Sequence, residues 1–391
     1  MRDVVLAGWQ TAARLSCGFL VFIAFLVACG QANPSVQERA PTQAAIIIEA
    51  PQATEAASPT VSPEPTAVFL TPSPTTSPKS IVPAPTETQA PSPTAPATPT
   101  ATPNPYLPYT IETLSKRPFG GGALQIIDTL EETETFTRYL ITYPSDGLTI
   151  YGFMNVPHEG VQFPVALVLH GYIPPSEYET VAYTRRYADA LAEEGYFVIH
   201  PNLRNFPPSD NSEDFFRVGM ATDVLNLIAI IREQSQDPVG TLRRADADNI
   251  HLWGHSMGGG IALRVATVNP ADYLKGIVLY GAMSGNEQWN YERILEWSGG
   301  SRGTFELAAS DEMLAEISPI DHLERLQTAV SIHHSDADDI VPFAWAVDLC
   351  ERLTALNHPV ECFTYEGQPH TFRGEVDQLF IRRFIRFFKQ Y

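Results

Sequence analysis

The residues Gly254-His255-Ser256-Met257-Gly258 fit the G-x-S-x-G pattern of a nucleophilic serine. A short apolar run, Ile250 to Trp253, precedes the motif and a helical pattern follows it, as the strand–turn–helix context of this pattern requires. Glycines permit the sharp turn, because side chains at their positions would collide with the strand or the helix. We therefore predict that Ser256 is a catalytic nucleophile whose hydroxyl is exposed at the start of a helix.

A serine hydroxyl needs a base to remove its proton and an acid to hold that base, and both should follow the serine at the ends of later strands. His370 follows the last predicted strand, and Asp338 lies 32 residues before it in the loop after the preceding strand. We predict Asp338 and His370 as the partners of Ser256, with Asp336 and Asp339 as competing acids. Acyl transfer by such a triad requires no metal and no organic cofactor.

The transition state of acyl transfer carries a negative oxygen, which backbone N–H groups stabilise. The N–H of Met257, next to the serine, is one expected donor. The second is expected from Gly171 and Tyr172, which follow the apolar run Val165 to Leu169. Tyr172 is predicted to act either through its backbone N–H or through its phenol.

The elements that must position these residues form an α/β pattern. Phe136 to Pro157 reads as an antiparallel hairpin, after which short apolar runs alternate with amphipathic helical stretches, including ones near 178–193 and 215–233. Such alternation predicts a mostly parallel central sheet flanked by helices. About fifty residues separate Gly281 from the strand at Val330, and we expect a small helical cap there, at about 284–325.

The N-terminal region predicts export and a tether. Arg2 and Arg14 precede an apolar run that ends in Leu-Val-Ala-Cys, which resembles a bacterial lipobox with Cys29 as the lipidated residue. Of the 33 prolines, 18 lie between Pro34 and Pro108. We predict a lipoprotein signal peptide at 1–28, a Pro/Thr/Ser-rich disordered spacer at 29–110 and an α/β-hydrolase domain at 111–391, held outside the cytoplasm.

The net charge limits the expected binding partners, and two cysteines of the predicted domain leave a disulfide open. A net charge of −20 argues against nucleic acid and against electrostatic binding to anionic lipid, so membrane association is expected only through the lipid anchor. The sequence does not indicate an oligomeric state. Cys350 and Cys362 fall on a predicted helix and the next strand, where either a disulfide or two free thiols fits.

With these motifs in order, residues from about 143 to 391 resemble the catalytic domain of the prolyl oligopeptidase family of serine peptidases. The likeness rests on Ser145-Asp146-Gly147-Leu148, His170-Gly171-Tyr172, Gly195-Tyr196, Asn202-Leu203-Arg204, the serine motif, Asp338 to Pro342 and His370. In that family a Gly-Tyr at this position supplies a phenolic oxyanion donor. Members usually carry a β-propeller; we expect none here, because the predicted spacer precedes the matching residues.

The resemblance implies a serine hydrolase that acts on small peptide or ester substrates. A prolyl-oligopeptidase-like peptidase is the first alternative, and a carboxylesterase or lipase-like acyl hydrolase is the second. A surface binding protein that keeps the fold without catalysis is the alternative from another class, although an intact triad order favours an enzyme.

Overall fold

The structure, a computed structural model, describes residues 104–391. The predicted signal peptide, Cys29 and almost all of the predicted spacer lie outside the described residues. The described part begins before the predicted domain boundary at 111: Tyr106 and Tyr109 already pack against the core, and the Tyr106 hydroxyl donates to the Phe305 carbonyl at 3.0 Å.

A nine-stranded sheet runs through the domain in the order β1-β2-β3-β5-β4-β6-β7-β8-β9. The strands from β4 to β9 are parallel, and β1, β2 and β3 join one side in antiparallel pairs. The strands are β1 Gln125–Glu132, β2 Phe136–Ser145, β3 Leu148–Pro157, β4 Phe163–Leu169, β5 Phe197–Pro201, β6 Ala245–His255, β7 Leu274–Tyr280, β8 Ala329–Ser335 and β9 Val360–Tyr365. The predicted mostly parallel sheet is therefore confirmed.

Helices lie on both faces of the sheet, as buried apolar strands require. They are α1 Ile111–Ser115, α2 Arg185–Glu193, α3 Val218–Gln234, α4 Met257–Val268, α5 Glu287–Trp297, α6 Asp311–Ile317, α7 Phe343–Ala355 and α8 Gly374–Gln390. One core cluster packs α3 and α4 on the sheet, and a second, rich in phenylalanine, packs α2 and α8 on the opposite face. Among residues 104–391 no helix is both long and apolar enough to span a bilayer.

Two predicted helices begin later than expected. The first starts at Arg185 rather than near Tyr178, and the second starts at Val218 rather than at Phe215, because Phe216 and Arg217 adopt positive φ angles of 53° and 54°. Residues between β7 and β8 form α5, α6 and two short 3-10 helices, Glu306–Ala308 and Pro319–Arg325, where the helical cap was expected. We call this segment, residues 284–325, the cap.

Cys350 on α7 and Cys362 on β9 form a disulfide, with their Cα atoms 6.4 Å apart. The sequence alone left this pairing undecided. The bond ties together the two elements that lie between the Asp338 loop and the His370 loop.

Candidate active site

Ser256 occupies a sharp turn between β6 and α4. Its φ of 54° and ψ of −117° lie in a region that costs a non-glycine residue on the order of 1–3 kcal/mol. Backbone bonds hold it there, because Ser256 N donates to the Tyr280 carbonyl at 2.9 Å and the Ser256 carbonyl accepts from Met283 N at 3.0 Å. The neighbouring strand β7 thus fixes the serine at the carboxyl edge of the sheet.

The glycines of the motif are required by backbone contacts. A Cβ on Gly254 would lie 2.3 Å from the Gly258 carbonyl oxygen, and a Cβ on Gly258 would lie 2.3 Å from the carbonyl oxygen of Leu169. No side chain fits at either distance. The steric reason inferred from the sequence agrees with these contacts, and α4 can approach β4 closely only because Gly258 lacks a side chain.

Asp338 and His370 meet across the loops that follow β8 and β9. His370 Nδ1 lies 2.7 Å from Asp338 Oδ2, while Asp338 Oδ1 accepts backbone N–H groups of Ile340 and Val341, both at 2.9 Å. His334 Nε2 lies 3.3 Å from the same Oδ2. Burial raises the pKa of Asp338, but the hydrogen bonds from His334 and His370 outweigh it and hold the pKa below its ordinary value. The carboxylate therefore stays charged beside the imidazole.

This pair lies next to the serine turn. A Cβ on Gly281 would lie 3.2 Å from His370 Nδ1 and 3.4 Å from Asp338 Oδ2, and Gly281 directly follows the Tyr280 that binds Ser256 N. The ring of His255, the residue before Ser256, packs on the His370 ring with centroids 4.6 Å apart. The fold thus brings the three predicted triad positions to one place.

The two competing acids, Asp336 and Asp339, make other contacts. Asp336 Oδ1 accepts from the backbone N–H of Gly367 at 2.8 Å and so fixes the loop that leads to His370. Asp339 is exposed, and its carbonyl accepts from Arg293 at 3.1 Å. Of the three aspartates in this loop, Asp338 is the one that contacts His370.

The three predicted oxyanion-hole residues differ in their surroundings. Met257 begins α4 directly after Ser256, where helix N–H groups have no helical partner. Gly171 lies against Ser256, since a Cβ there would be 3.0 Å from Ser256 Cβ, but its N–H donates to the Tyr183 hydroxyl at 2.9 Å. The Tyr172 side chain is half exposed, and its phenol lies 3.4 Å from Arg302 Nη1 on the cap.

Tyr183 was not predicted from the sequence, yet it joins both sides of the site. Its hydroxyl accepts from Gly171 N–H, so its own proton is directed to His255 Nδ1 at 2.6 Å. Burial lowers the pKa of His255 well below its ordinary value, which keeps the ring neutral with its remaining proton on Nε2. That Nε2 lies 3.2 Å from the His370 carbonyl. A chain of hydrogen bonds therefore runs beneath the serine from the Gly171 loop to the His370 loop.

A pocket of about 750 Å³ opens beside Met257 and Tyr172, between the sheet edge and the cap. Its walls are mainly aromatic and aliphatic, and they include Phe206, Phe215, Met220, Met283, Tyr291, Ile294, Trp297 and Phe305. Asp214, Arg217, Arg302 and Glu306 are the acidic and basic residues that line it. Its size and lining are those of a small-molecule site.

A buried ion cluster joins the cap to the body of the domain. The Glu287 carboxylate, on cap helix α5, binds Arg264 Nη2 on α4 at 2.5 Å and also Arg217. All three side chains are buried. Within the described residues, Arg217 Nη1 and Asp214 Oδ2 are buried without a hydrogen-bond partner. This cluster could not be predicted from the sequence, because its members are far apart along the chain.

Known proteins that are similar to this chain include peptidases. Residues 235–391 match the model of the prolyl oligopeptidase family. The chain is 24% identical over 257 residues to the uncharacterized peptidase YtmA of Bacillus subtilis (strain 168), covering 64% of this chain and 93% of that protein.

Two solved structures have a similar fold. One is an acylaminoacyl peptidase from Pyrococcus horikoshii, with a TM-score of 0.52 at 19% identity over 66% of this chain and 42% of that one. The other is acetyl xylan esterase 1 from Thermoanaerobacterium sp. JW/SL YS485, with a TM-score of 0.51 at 14% identity over 71% of this chain and 89% of that one. The fold is that of the α/β-hydrolases, among which peptidases and esterases both occur.

Proposed function

We propose that this chain is a serine hydrolase that cleaves peptide or ester bonds through an acyl-enzyme on Ser256, since residues 235–391 match the model of the prolyl oligopeptidase family and the chain is similar to a peptidase. The observation that carries the proposal is the bond of 2.7 Å between His370 and Asp338 beside the turn that holds Ser256. A histidine fixed by a charged carboxylate is the base that a serine nucleophile needs.

In the proposed mechanism His370 accepts the Ser256 proton as Oγ attacks the substrate carbonyl. The oxyanion that forms is held by the N–H of Met257, with a second bond from the Tyr172 backbone N–H. We favour the Tyr172 N–H over the Tyr172 phenol because the phenol lies beside Arg302. We favour it over the Gly171 N–H because that group already donates to the Tyr183 hydroxyl. His370 then gives its proton to the leaving group, and a water molecule, deprotonated by the same ring, releases the acyl group and restores Ser256.

Fluorophosphonate labelling tests this proposal, since these probes react with activated serines. The wild-type protein is expected to be labelled and to hydrolyse p-nitrophenyl acetate, and Ser256→Ala is expected to lose both properties. Ser115→Ala, at the end of α1, removes a hydroxyl whose bond goes to the Glu112 carbonyl; it is the matched control and should behave as the wild type. Labelling of Ser256→Ala would refute the assignment, and an unlabelled wild type would favour the non-catalytic binding protein.

The peptidase and esterase alternatives need a substrate comparison. The match of residues 235–391 to the prolyl oligopeptidase family model supports peptide bonds, whereas the fold is shared with an acetyl xylan esterase. Initial rates on short peptide amides and on esters of the same acyl groups would separate the two. A peptidase is expected to turn over both classes, and an esterase only the esters.

We also propose that the domain is held outside the cytoplasm by lipid on Cys29. The Cys350–Cys362 disulfide supports this placement, because disulfides persist in oxidising compartments. Metabolic labelling with palmitate is expected to mark the wild type and Cys17→Ser, since Cys17 leaves with the signal, but not Cys29→Ser. Equal labelling of Cys29→Ser would contradict the anchor.

A further inference from the structure

The second oxyanion donor of the proposed function, the Tyr172 N–H, lies in the loop that follows β4. Two hydrogen bonds at the preceding residue hold this loop. The Gly171 N–H donates to the Tyr183 hydroxyl at 2.9 Å. The Gly171 carbonyl, which is in the same peptide unit as the Tyr172 N–H, lies 2.8 Å from His170 Nδ1. The direction of the Tyr172 N–H therefore depends on the two bonds that hold Gly171.

Tyr183 also reaches the opposite side of the site, through His255. The Tyr183 hydroxyl lies 2.6 Å from His255 Nδ1, and His255 Nε2 lies 3.2 Å from the His370 carbonyl. A carbonyl only accepts, so neutral His255 carries its proton on Nε2 and accepts the hydroxyl proton at Nδ1. Burial maintains these roles, since it raises the pKa of Tyr183 and lowers the pKa of His255. One tyrosine hydroxyl thus joins the Gly171 loop to the His370 loop.

The nucleophile is packed between these groups. His255 directly precedes Ser256 in the chain. A Cβ on Gly171 would lie 3.0 Å from Ser256 Cβ and 2.9 Å from the Tyr183 hydroxyl oxygen. These distances leave no space for a further carbon atom between the loop, the serine turn and the hydroxyl. A shift of the Gly171 loop therefore also displaces the groups around Ser256.

Given the acyl transfer proposed above, on which this step rests, we propose that Tyr183 is a positioning residue. It holds the oxyanion donor, the Tyr172 N–H, and the base, His370, in one arrangement. Tyr183 acts through the two groups to which its hydroxyl is bonded and not by contact with the substrate. Its contribution is expected in the transition state, where the oxyanion needs its donor in place, and not in the binding of the uncharged substrate.

Tyr183→Phe removes the hydroxyl and keeps the ring. Active sites are first titrated with a fluorophosphonate, so that every rate and affinity is stated per active site. Removal of an oxyanion donor costs about 10²–10³-fold in kcat, and we expect misplacement of a donor that is still present to cost less, about 10- to 100-fold with p-nitrophenyl acetate. The oxyanion forms in both half-reactions, so both slow together and KM should change by less than about twofold.

Phenylboronic acid supplies a second measurement, because its tetrahedral adduct on a serine places an oxygen where the oxyanion forms. Its affinity for Tyr183→Phe is expected to fall by a factor similar to the loss in kcat. A residue that only stabilises the fold would instead lower the fraction of active sites and leave kcat and boronate affinity per site unchanged. That result would overturn the proposal, as would wild-type values of all three quantities.

Tyr273→Phe is the matched control. The Tyr273 hydroxyl also accepts a hydrogen bond, from Asn269 Nδ2, but Tyr273 directly precedes β7 and so lies at the amino end of that strand. The serine turn lies at the carboxyl edge of the sheet, so this variant is expected to keep the wild-type kcat, KM and boronate affinity. A loss in Tyr273→Phe equal to that in Tyr183→Phe would contradict a specific role for Tyr183.

A double-mutant cycle tests the link to the His370 loop. His255→Leu removes both the acceptor for Tyr183 and the donor to the His370 carbonyl. If one chain of hydrogen bonds holds both loops, breaking it at a second place adds little, and the double variant should lose no more than about threefold beyond the larger single loss. Losses that multiply would overturn the joint arrangement. Failure of the proposed function is separate, because it appears as turnover that persists in Ser256→Ala.

Discussion

Gly258→Ala tests whether the close approach of α4 to β4 sets the position of the nucleophile. The new Cβ would lie 2.3 Å from the Leu169 carbonyl oxygen and 2.7 Å from that of His170, where ordinary contacts begin at 3.4 Å. Both atoms are backbone, so the start of α4 must move by about 1 Å. Displacement on this scale costs roughly 100-fold in rate, and overpacking costs about 1–3 kcal/mol of stability.

Gly260→Ala supplies the matched control two residues along the same helix. A Cβ there would meet Met283 Cβ at 3.4 Å, an ordinary contact, and alanine stabilises a helix interior by about 0.5–1 kcal/mol relative to glycine. The assay is kcat/KM for p-nitrophenyl acetate together with urea unfolding of each variant. We expect Gly258→Ala to lose both activity and stability while Gly260→Ala loses neither. Wild-type values for Gly258→Ala would refute the view that this contact fixes Ser256.

Three further outcomes are expected. Asp338→Asn should lower kcat for p-nitrophenyl acetate by about 10⁴-fold, because an amide no longer stabilises the charged imidazole, and Asp336→Asn should have little effect; equal losses would contradict the choice of acid. Replacing Cys350 and Cys362 together with serine should lower the free energy of unfolding by about 3 kcal/mol, by the chain-entropy model for a loop of this length, and unchanged urea unfolding would show that the disulfide adds no stability. Burial raises the pKa of Asp214 to about 7, so the folded protein keeps a proton there that the unfolded chain has released. Between pH 5 and pH 7 the unfolding free energy of the wild type should therefore fall, relative to that of Asp214→Asn, by about 1 kcal/mol per pH unit in urea titrations; parallel pH profiles would contradict the raised pKa.

Elements with a regular local pattern could be predicted from the sequence. The helix predicted directly after the serine motif is present as α4, because almost all of its residues are apolar and buried. The strand β1 was not predicted, since all eight of its residues are exposed and show no apolar alternation. Residues 178–184 looked helical, but Tyr178 and Tyr183 instead bind Asn202 and Gly171 near the site.

The candidate site also contains some residues that could be predicted from the sequence and others that could not. Ser256 and its predicted partners follow from motif and chain order, because parallel strands bring their carboxyl ends to one edge. Tyr183 and the pair of Asp214 and Arg217 could not be predicted, because their surroundings depend on contacts with distant segments. The turn at Phe216 and Arg217 also lacks the glycine that usually signals positive φ angles.

The cluster of Glu287 with Arg217 and Arg264 limits how this scaffold can be re-engineered. Glu287 belongs to the cap, whereas both arginines belong to the body of the domain. A chimera that exchanges residues 284–325 for the insert of another hydrolase would leave two guanidinium groups buried without a counterion, at about 3–5 kcal/mol for the first lost partner. A successful graft has to import a carboxylate at the equivalent position or replace both arginines with apolar side chains at once.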